Sequence, residues 1–212
     1  MESISQHITI EPGCVGQSLF EDRKSQFFGF ARHVESAQEA IDFRHGIMER
    51  IPEASHYVSA WILADGTEFF SDAKEPHGTA GMPVLSAIRG RELADAVCVV
   101  ARVFGGTLLG KGGLMRAYTK AAVDAIDEAP LARCTPCQLM EVTLPYPLYE
   151  PARKRLTSWN ARLEDERFTE NVTLCVSVAL DDTEQFVAHV NDFSNGRARC
   201  SLGAIEARYL PL

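Results

Sequence analysis

No apolar run in this chain approaches the roughly 20 residues needed to cross a bilayer as a helix. The first twelve residues lack the basic start and apolar stretch of a signal peptide. Together these absences lead us to expect a cytoplasmic protein with no membrane partner. Basic charge is also scarce: 21 Lys and Arg stand against 29 Asp and Glu, for a formal net charge of −8. That balance argues against broad adhesion to nucleic acid, and no DNA specificity is expected. Zinc-ribbon spacing is missing, because Cys134-Thr-Pro-Cys137 has no second pair. The other cysteines, Cys14, Cys98, Cys175 and Cys200, are dispersed. We read all six as buried, reduced thiols. Internal repeats and low-complexity segments are absent too.

What remains is ordinary globular material, 46% hydrophobic and 24% charged over 212 residues, enough for two domains with real cores. Residues 1–20 read as an arm leading into a strand, and Ser25 to Arg32 as a strand. Ser36 is placed to cap a helix over 37–51, whose period is carried by Ala40, Ile41, Ile47 and Met48. Tyr57 to Leu63 and Thr67 to Phe70 form a hairpin about Asp65-Gly66. Ser71 to Pro83 is an irregular loop, followed by a short helix that Gly90 ends. Ala96 to Phe104 is a buried strand. A glycine-rich stretch then runs from Gly105 to Gly113, before a helix to about Glu128.

Ala129 to Gln138, with two prolines, is the expected linker. Beyond it come a strand over 139–144, a helix starting at Glu150 or Pro151, strands over 161–168 and 172–180, a helix to about Phe193 and a strand over 197–202. That βαββαβ order is the ferredoxin-like motif. The expectation is therefore an α+β protein of two domains, 1–134 and 139–212.

The glycine stretch is the strongest chemical signal. Between Asp95 and Asp124 no acid occurs, whereas Arg102, Lys111, Arg116 and Lys120 do. Gly105, Gly106, Gly110, Gly112 and Gly113 let backbone approach a ligand and precede a helix start, which favours an anion. Two phosphate loops nearly fit. The P-loop fails because Gly112 stands at the hydroxyl position, and the dinucleotide fingerprint fails because Met115 replaces the third glycine. The nine residues Arg102, Gly105, Gly106, Gly110, Lys111, Gly112, Gly113, Arg116 and Lys120 are thus candidates for anion or RNA binding, beside the alternative that the glycines only shape a turn.

A second candidate cluster comprises His56, Asp72, Lys74, Glu75, His77 and Thr79. It lacks metal-ligand spacing, so no metal, no cofactor and no catalytic residue are expected. His56 is read as a hydrogen-bonded structural histidine. Arg153-Lys154-Arg155 is placed early on a helix, as a solvated face.

Several segments in order resemble the IMPACT family. They are Lys24-Ser25-Gln26-Phe27, Ala54-Ser55-His56 running to Ala60-Trp61, Ser71-Asp72, Glu75 through Pro83, and Arg102 through Tyr118. The resemblance implies an N-terminal domain like the second domain of ribosomal protein S5, and a C-terminal domain like the last domain of elongation factor G. Eukaryotic members regulate translation under stress. Bacterial members, which the two-domain build resembles, carry no firm biochemical activity. The chain departs from the family pattern at Ala73 and Lys74 (Asp-Gly), at His77 (a small residue) and at Gln26 (Arg). We therefore expect a non-enzymatic, translation-linked regulator whose partners are RNA, the ribosome or translation-associated proteins. The alternatives are an enzyme acting on a phosphate-bearing or peptide substrate, and a protein-binding module.

Overall fold

The computed structural model describes residues 5–212, so the first four residues of the expected N-terminal arm lie outside it. Two compact units form. One comprises His7–Arg133 and Tyr209–Leu212, and the other Cys134–Arg208 with residues 5 and 6.

The N-terminal unit runs β1 (His7–Ile10), β2 (Val15–Asp22), β3 (Ser25–His33), α1 (Ala37–Arg50), β4 (His56–Ile62), β5 (Glu68–Ser71), α2 (Gly81–Gly90), β6 (Ala96–Val103) and α3 (Gly110–Asp127). Its main sheet is antiparallel, in the order β2-β3-β6-β4-β5. The expected arm is thus largely strand. β6 is continuously apolar because both its faces are covered. Cys98 and Val100 join a core with α2 and α3, while Val97, Val99 and Ala101 join one with α1. Ser36 caps α1 as expected, its side chain accepting the Glu39 N–H.

The second unit runs β7 (Leu131–Leu144, from Cys134 onward), α4 (Tyr146–Arg153), β8 (Ala161–Phe168), β9 (Val172–Ala179), α5 (Thr183–Ser194) and β10 (Arg199–Pro211, as far as Arg208), with short 3₁₀ turns before β8 and α5. The strand order β10-β7-β9-β8 is that of the ferredoxin-like βαββαβ fold, and the α+β class holds.

Three local expectations are corrected. The supposed linker 129–138 is mostly strand, because β7 begins at Leu131. Cys134 and Cys137 therefore lie three strand steps apart, about 10 Å, too far for a disulfide. α4 starts at Tyr146, with Pro147 filling the first-turn position that suits proline, and Pro151 falls inside the helix. Arg153-Lys154-Arg155 consequently sits at the C-terminal end of α4, where cations suit the dipole, and Arg153 pairs with Glu166 at 3.1 Å. The last strand is longer than expected, since Ser201 to Glu206 are all exposed and show no inward alternation.

Of the six cysteines expected to be buried, Cys98, Cys134 and Cys137 are, whereas Cys14, Cys175 and Cys200 are half-buried. Burial pushes the Cys98 thiol up to about 12 and raises those of Cys137 and Cys200. The Gln138 side-chain amide donates to the Gly203 carbonyl oxygen at 2.8 Å, clipping β10 to β7. A fragment over 134–212 should therefore fold alone and outlast one over 139–212, which loses Gln138 and the Cys137–Ala179 pair. The expected gap is about 1 kcal/mol, roughly 4–8 °C in Tm, measured by paired thermal melts.

Candidate functional site

One register row across the sheet sets the site. Phe27 on β3, Arg102 on β6 and His56 on β4 are directly paired, so their side chains share the face covered by α2 and α3. Arg102 lies over the Phe27 ring at 5.4 Å, and Phe27 packs edge-on against Tyr118 of α3. The loop after β5 brings in Glu75. Its Oε1 accepts from Arg102 Nη1 at 2.6 Å and from the Tyr118 hydroxyl at 2.8 Å, and lies 3.8 Å from His56 Nε2. The Arg102 and Glu75 side chains are only 6% and 4% exposed. Burial, then the Glu75 carboxylate, push the Tyr118 hydroxyl well above its ordinary value, so it remains the donor. His56 also bonds the Ala73 carbonyl oxygen through Nδ1 at 2.9 Å, in keeping with a hydrogen-bonded histidine.

The remaining loop residues are mostly occupied with holding the loop. Asp72 accepts from the backbone N–H of Gly78, Ala80 and Gly81 at 2.8, 3.1 and 2.8 Å, anchoring the start of α2. Burial alone would raise the Asp72 carboxyl, but these donors, with His77 beside it, hold it below its ordinary value. Thr79 is buried and donates to the Pro76 carbonyl oxygen at 2.6 Å. His77 is exposed, 3.6 Å from Asp72. Among the described residues no three His, Cys, Asp or Glu side chains gather as a metal site would.

The glycine stretch divides by role. A Cβ on Gly105 would fall 2.0 Å from the Lys24 carbonyl carbon, so this glycine serves the chain's own packing. Its N–H donates to Ser25 Oγ at 3.1 Å. Gly106 and Gly110 take positive φ, and Gly110 through Gly113 form the first turn of α3 rather than a loop before it. No side chain caps α3, and no acid stands in its first turn. Of the four expected cations, Arg102 is held by Glu75, and Lys120 by Asp124 at 2.6 Å. Lys111 and Arg116 have no ion-pair partner among the described residues.

Two cations join them that sequence reading missed. Arg23 and Lys24 form a two-residue turn between β2 and β3, with φ of 46° and 65°. Such a turn ordinarily takes Asn-Gly. Arg23 Nη1 donates to the Leu108 carbonyl oxygen at 3.3 Å, at the tip of the glycine stretch. Ala73 and Lys74 repeat the arrangement with φ of 46° and 71°, closed by the Glu75 N–H to Asp72 carbonyl bond at 2.9 Å. The family pattern's glycine at position 74 would sit there without strain. Beside the Ala73-Lys74 turn lies a cleft of 520 Å³, lined by His56, Lys74, Glu75 and Arg102 and by Phe104, Leu108, Leu109, Lys111 and Leu114 among others.

The family comparison agrees with this frame. The Impact N-terminal domain model matches residues 23–126, and a domain of unknown function (DUF1949) matches residues 142–197. An IMPACT family member of Haemophilus influenzae is 30% identical over 185 residues, covering 84% of this chain and 90% of that protein. The family member YigZ of Escherichia coli is 29% identical over 83% of this chain and 88% of its own. A crystal structure of a hypothetical protein matches with a TM-score of 0.61 at 27% identity, covering 96% of this chain and 99% of that one. The chain belongs to the IMPACT family. No helix among its described residues is long and apolar enough to cross a membrane.

Two outcomes follow from this geometry. Arg102→Ala strands a buried carboxylate and should cost about 3–5 kcal/mol in urea melts, whereas Tyr118→Phe, which removes one donor, should cost about 1.5–3 kcal/mol. The Asp72 carboxyl has a folded pKa below the unfolded value of about 3.9. Its charge-dependent contribution is therefore present above that value and disappears as pH falls through the folded one. Asp72→Asn keeps an acceptor but loses the charge, so it should melt below wild type at pH 7, and the gap should close as pH falls below the unfolded value and through the folded one.

Proposed function

We propose that this chain is a non-enzymatic, translation-linked regulatory protein that binds RNA or ribosomal components with the glycine-stretch end of its N-terminal unit. One observation carries the reading. Arg23, Lys24, Lys74, Lys111 and Arg116 surround that end, and none has an ion-pair partner among the described residues. Every other cation near it, Arg102 and Lys120, is paired. Phosphate oxygens are suited to such a set, because the uncapped start of α3 presents N–H groups of the same electrostatic sign. The link to translation rests on the family, whose eukaryotic members regulate it.

Backbone strain supports the same reading. A left-handed residue other than glycine costs roughly 1–2 kcal/mol. Lys24 and Lys74 both accept this cost where glycine would not. If charge is the reason, Lys24→Gly and Lys74→Gly should each gain about 1 kcal/mol of stability while weakening RNA or ribosome binding. Lys111→Ala and Arg116→Ala should leave the fold intact, and each should reduce the slope of log affinity against log salt by about one. The measurement is ribosome and RNA affinity at several salt concentrations, beside a melt for each variant. Folded variants with wild-type affinity and slope would overturn the proposal.

A further inference from the structure

We infer that the 520 Å³ cleft beside α3 is a subsite for one unstacked base of single-stranded RNA, and that it selects a base carrying an amino group. The inference rests on the RNA-binding reading above and goes further, naming the form of RNA and the chemistry of the base.

Three observations converge. The first is shape and lining. The cleft falls in the range of small-ligand sites, and its walls are the aromatic Phe104 with Leu108, Leu109 and Leu114. Phe104 is 46% exposed and Leu108 81% exposed, unusual for large apolar side chains at the mouth of a cationic cleft. Arg102 lies 5.5 Å from the Phe104 ring centre, so that ring is backed by a cation on one side. A base stacks on such a surface once it leaves its own stack; a duplex keeps its bases inside and cannot offer one.

The second observation is unpartnered polarity in the floor. All the bonds of Glu75 fall on Oε1, so Oε2 has no partner among the described residues although the side chain is 4% exposed. Arg102 Nε is buried with no partner. A bare carboxylate oxygen in a cleft calls for an N–H donor. The amino group of cytosine, adenine or guanine supplies one. Uracil flanks its single N–H with two carbonyl oxygens, which would face the carboxylate.

The third observation is where the phosphate would go. Lys111 and Gly110, in the uncapped first turn of α3, form part of the same cleft wall, and Lys74 lines the cleft too. A nucleotide therefore finds an apolar slot, a carboxylate acceptor and an anion site in one cavity.

The test uses the full-length chain and fluorescence anisotropy at one low salt concentration, with short oligo(C), oligo(U) and an RNA duplex of equal length. Oligo(C) should bind about fivefold or more tighter than oligo(U), and the duplex should be weaker than oligo(C). Phe104→Ala, at a half-exposed position that should not disturb folding, should weaken oligo(C) about tenfold without changing the salt slope. If RNA binds but oligo(C) equals oligo(U), or Phe104→Ala has no effect, or the duplex binds best, the base subsite is wrong and the backbone-binding reading survives. If none of the three binds, both fall. An apolar peptide that binds with Phe104→Ala sensitivity while RNA does not would mark the cleft as a protein-docking site and overturn the inference.

Discussion

The Glu75 carboxylate cannot be buried alone, and much of the N-terminal unit is arranged around that fact. Removing a charge from water costs several kcal/mol unless partners replace the hydration. Here the partners come from separate parts of the chain: Arg102 from β6, Tyr118 from α3 and His56 from β4. Each bond fixes an element that the hydrophobic core would leave freer. The loop between β5 and α2 is drawn onto α3, and the floor of the cleft becomes rigid. Apolar packing of similar volume would often be as stable as such a cluster. Glu75 spends only one of its two oxygens on these partners, which leaves the other free to accept from a ligand.

The same pairing decides which cations are available. The chain is acidic overall, yet three acids near the glycine stretch are already engaged: Asp72 with three backbone N–H groups, Glu75 with Arg102, and Asp124 with Lys120. At the start of α3 itself, the charges left unpaired among the described residues are those of Lys111 and Arg116. The local field at the start of α3 thus differs in sign from the whole-molecule charge, and no average over composition could reveal it. Sequence alone suggested the reversal from the acid-free stretch between Asp95 and Asp124. It could not show that two of the four cations there are consumed.

Signals that act within a few residues were legible. Ser36 before a helical period, Asp65-Gly66 between two strands, the apolar run of β6 and the inner face of α3 all matched the structure closely. The βαββαβ order of the second unit was also readable, because each element has its own periodicity. What escaped was either long-range or chemically disguised. Arg102 and Tyr118 meet Glu75 across 27 and 43 residues of sequence, and nothing local announces those bonds. The start of β7 looked like a linker because it contains proline and a Cys pair. The Arg23-Lys24 turn carries neither Gly nor Asn, so the usual marker of a two-residue hairpin was missing.

That last failure is informative, because departures from local preference concentrate at one place. In the second unit the non-glycine residues with positive φ are Asn160 and Asn195, a residue type that visits this region cheaply. In the N-terminal unit they are Arg23, Lys24, Ala73, Lys74, Glu92 and Asp95. Asp95 has an evident structural reason, since its carboxylate accepts the Ala64 N–H at 2.7 Å. Arg23 donates to the Leu108 carbonyl oxygen and Ala73 accepts from His56, but Lys24 and Lys74 have no such compensation: their side chains are exposed and pair with nothing among the described residues. Gly112 adds a further cost, being an unfavourable helix residue in open space where a Cβ would meet only the end of Arg116 at 3.6 Å. Strained turns, bare helix backbone and an uncapped helix start are each tolerable alone. Found together around one cleft, they describe a surface shaped for a ligand at the expense of local stability.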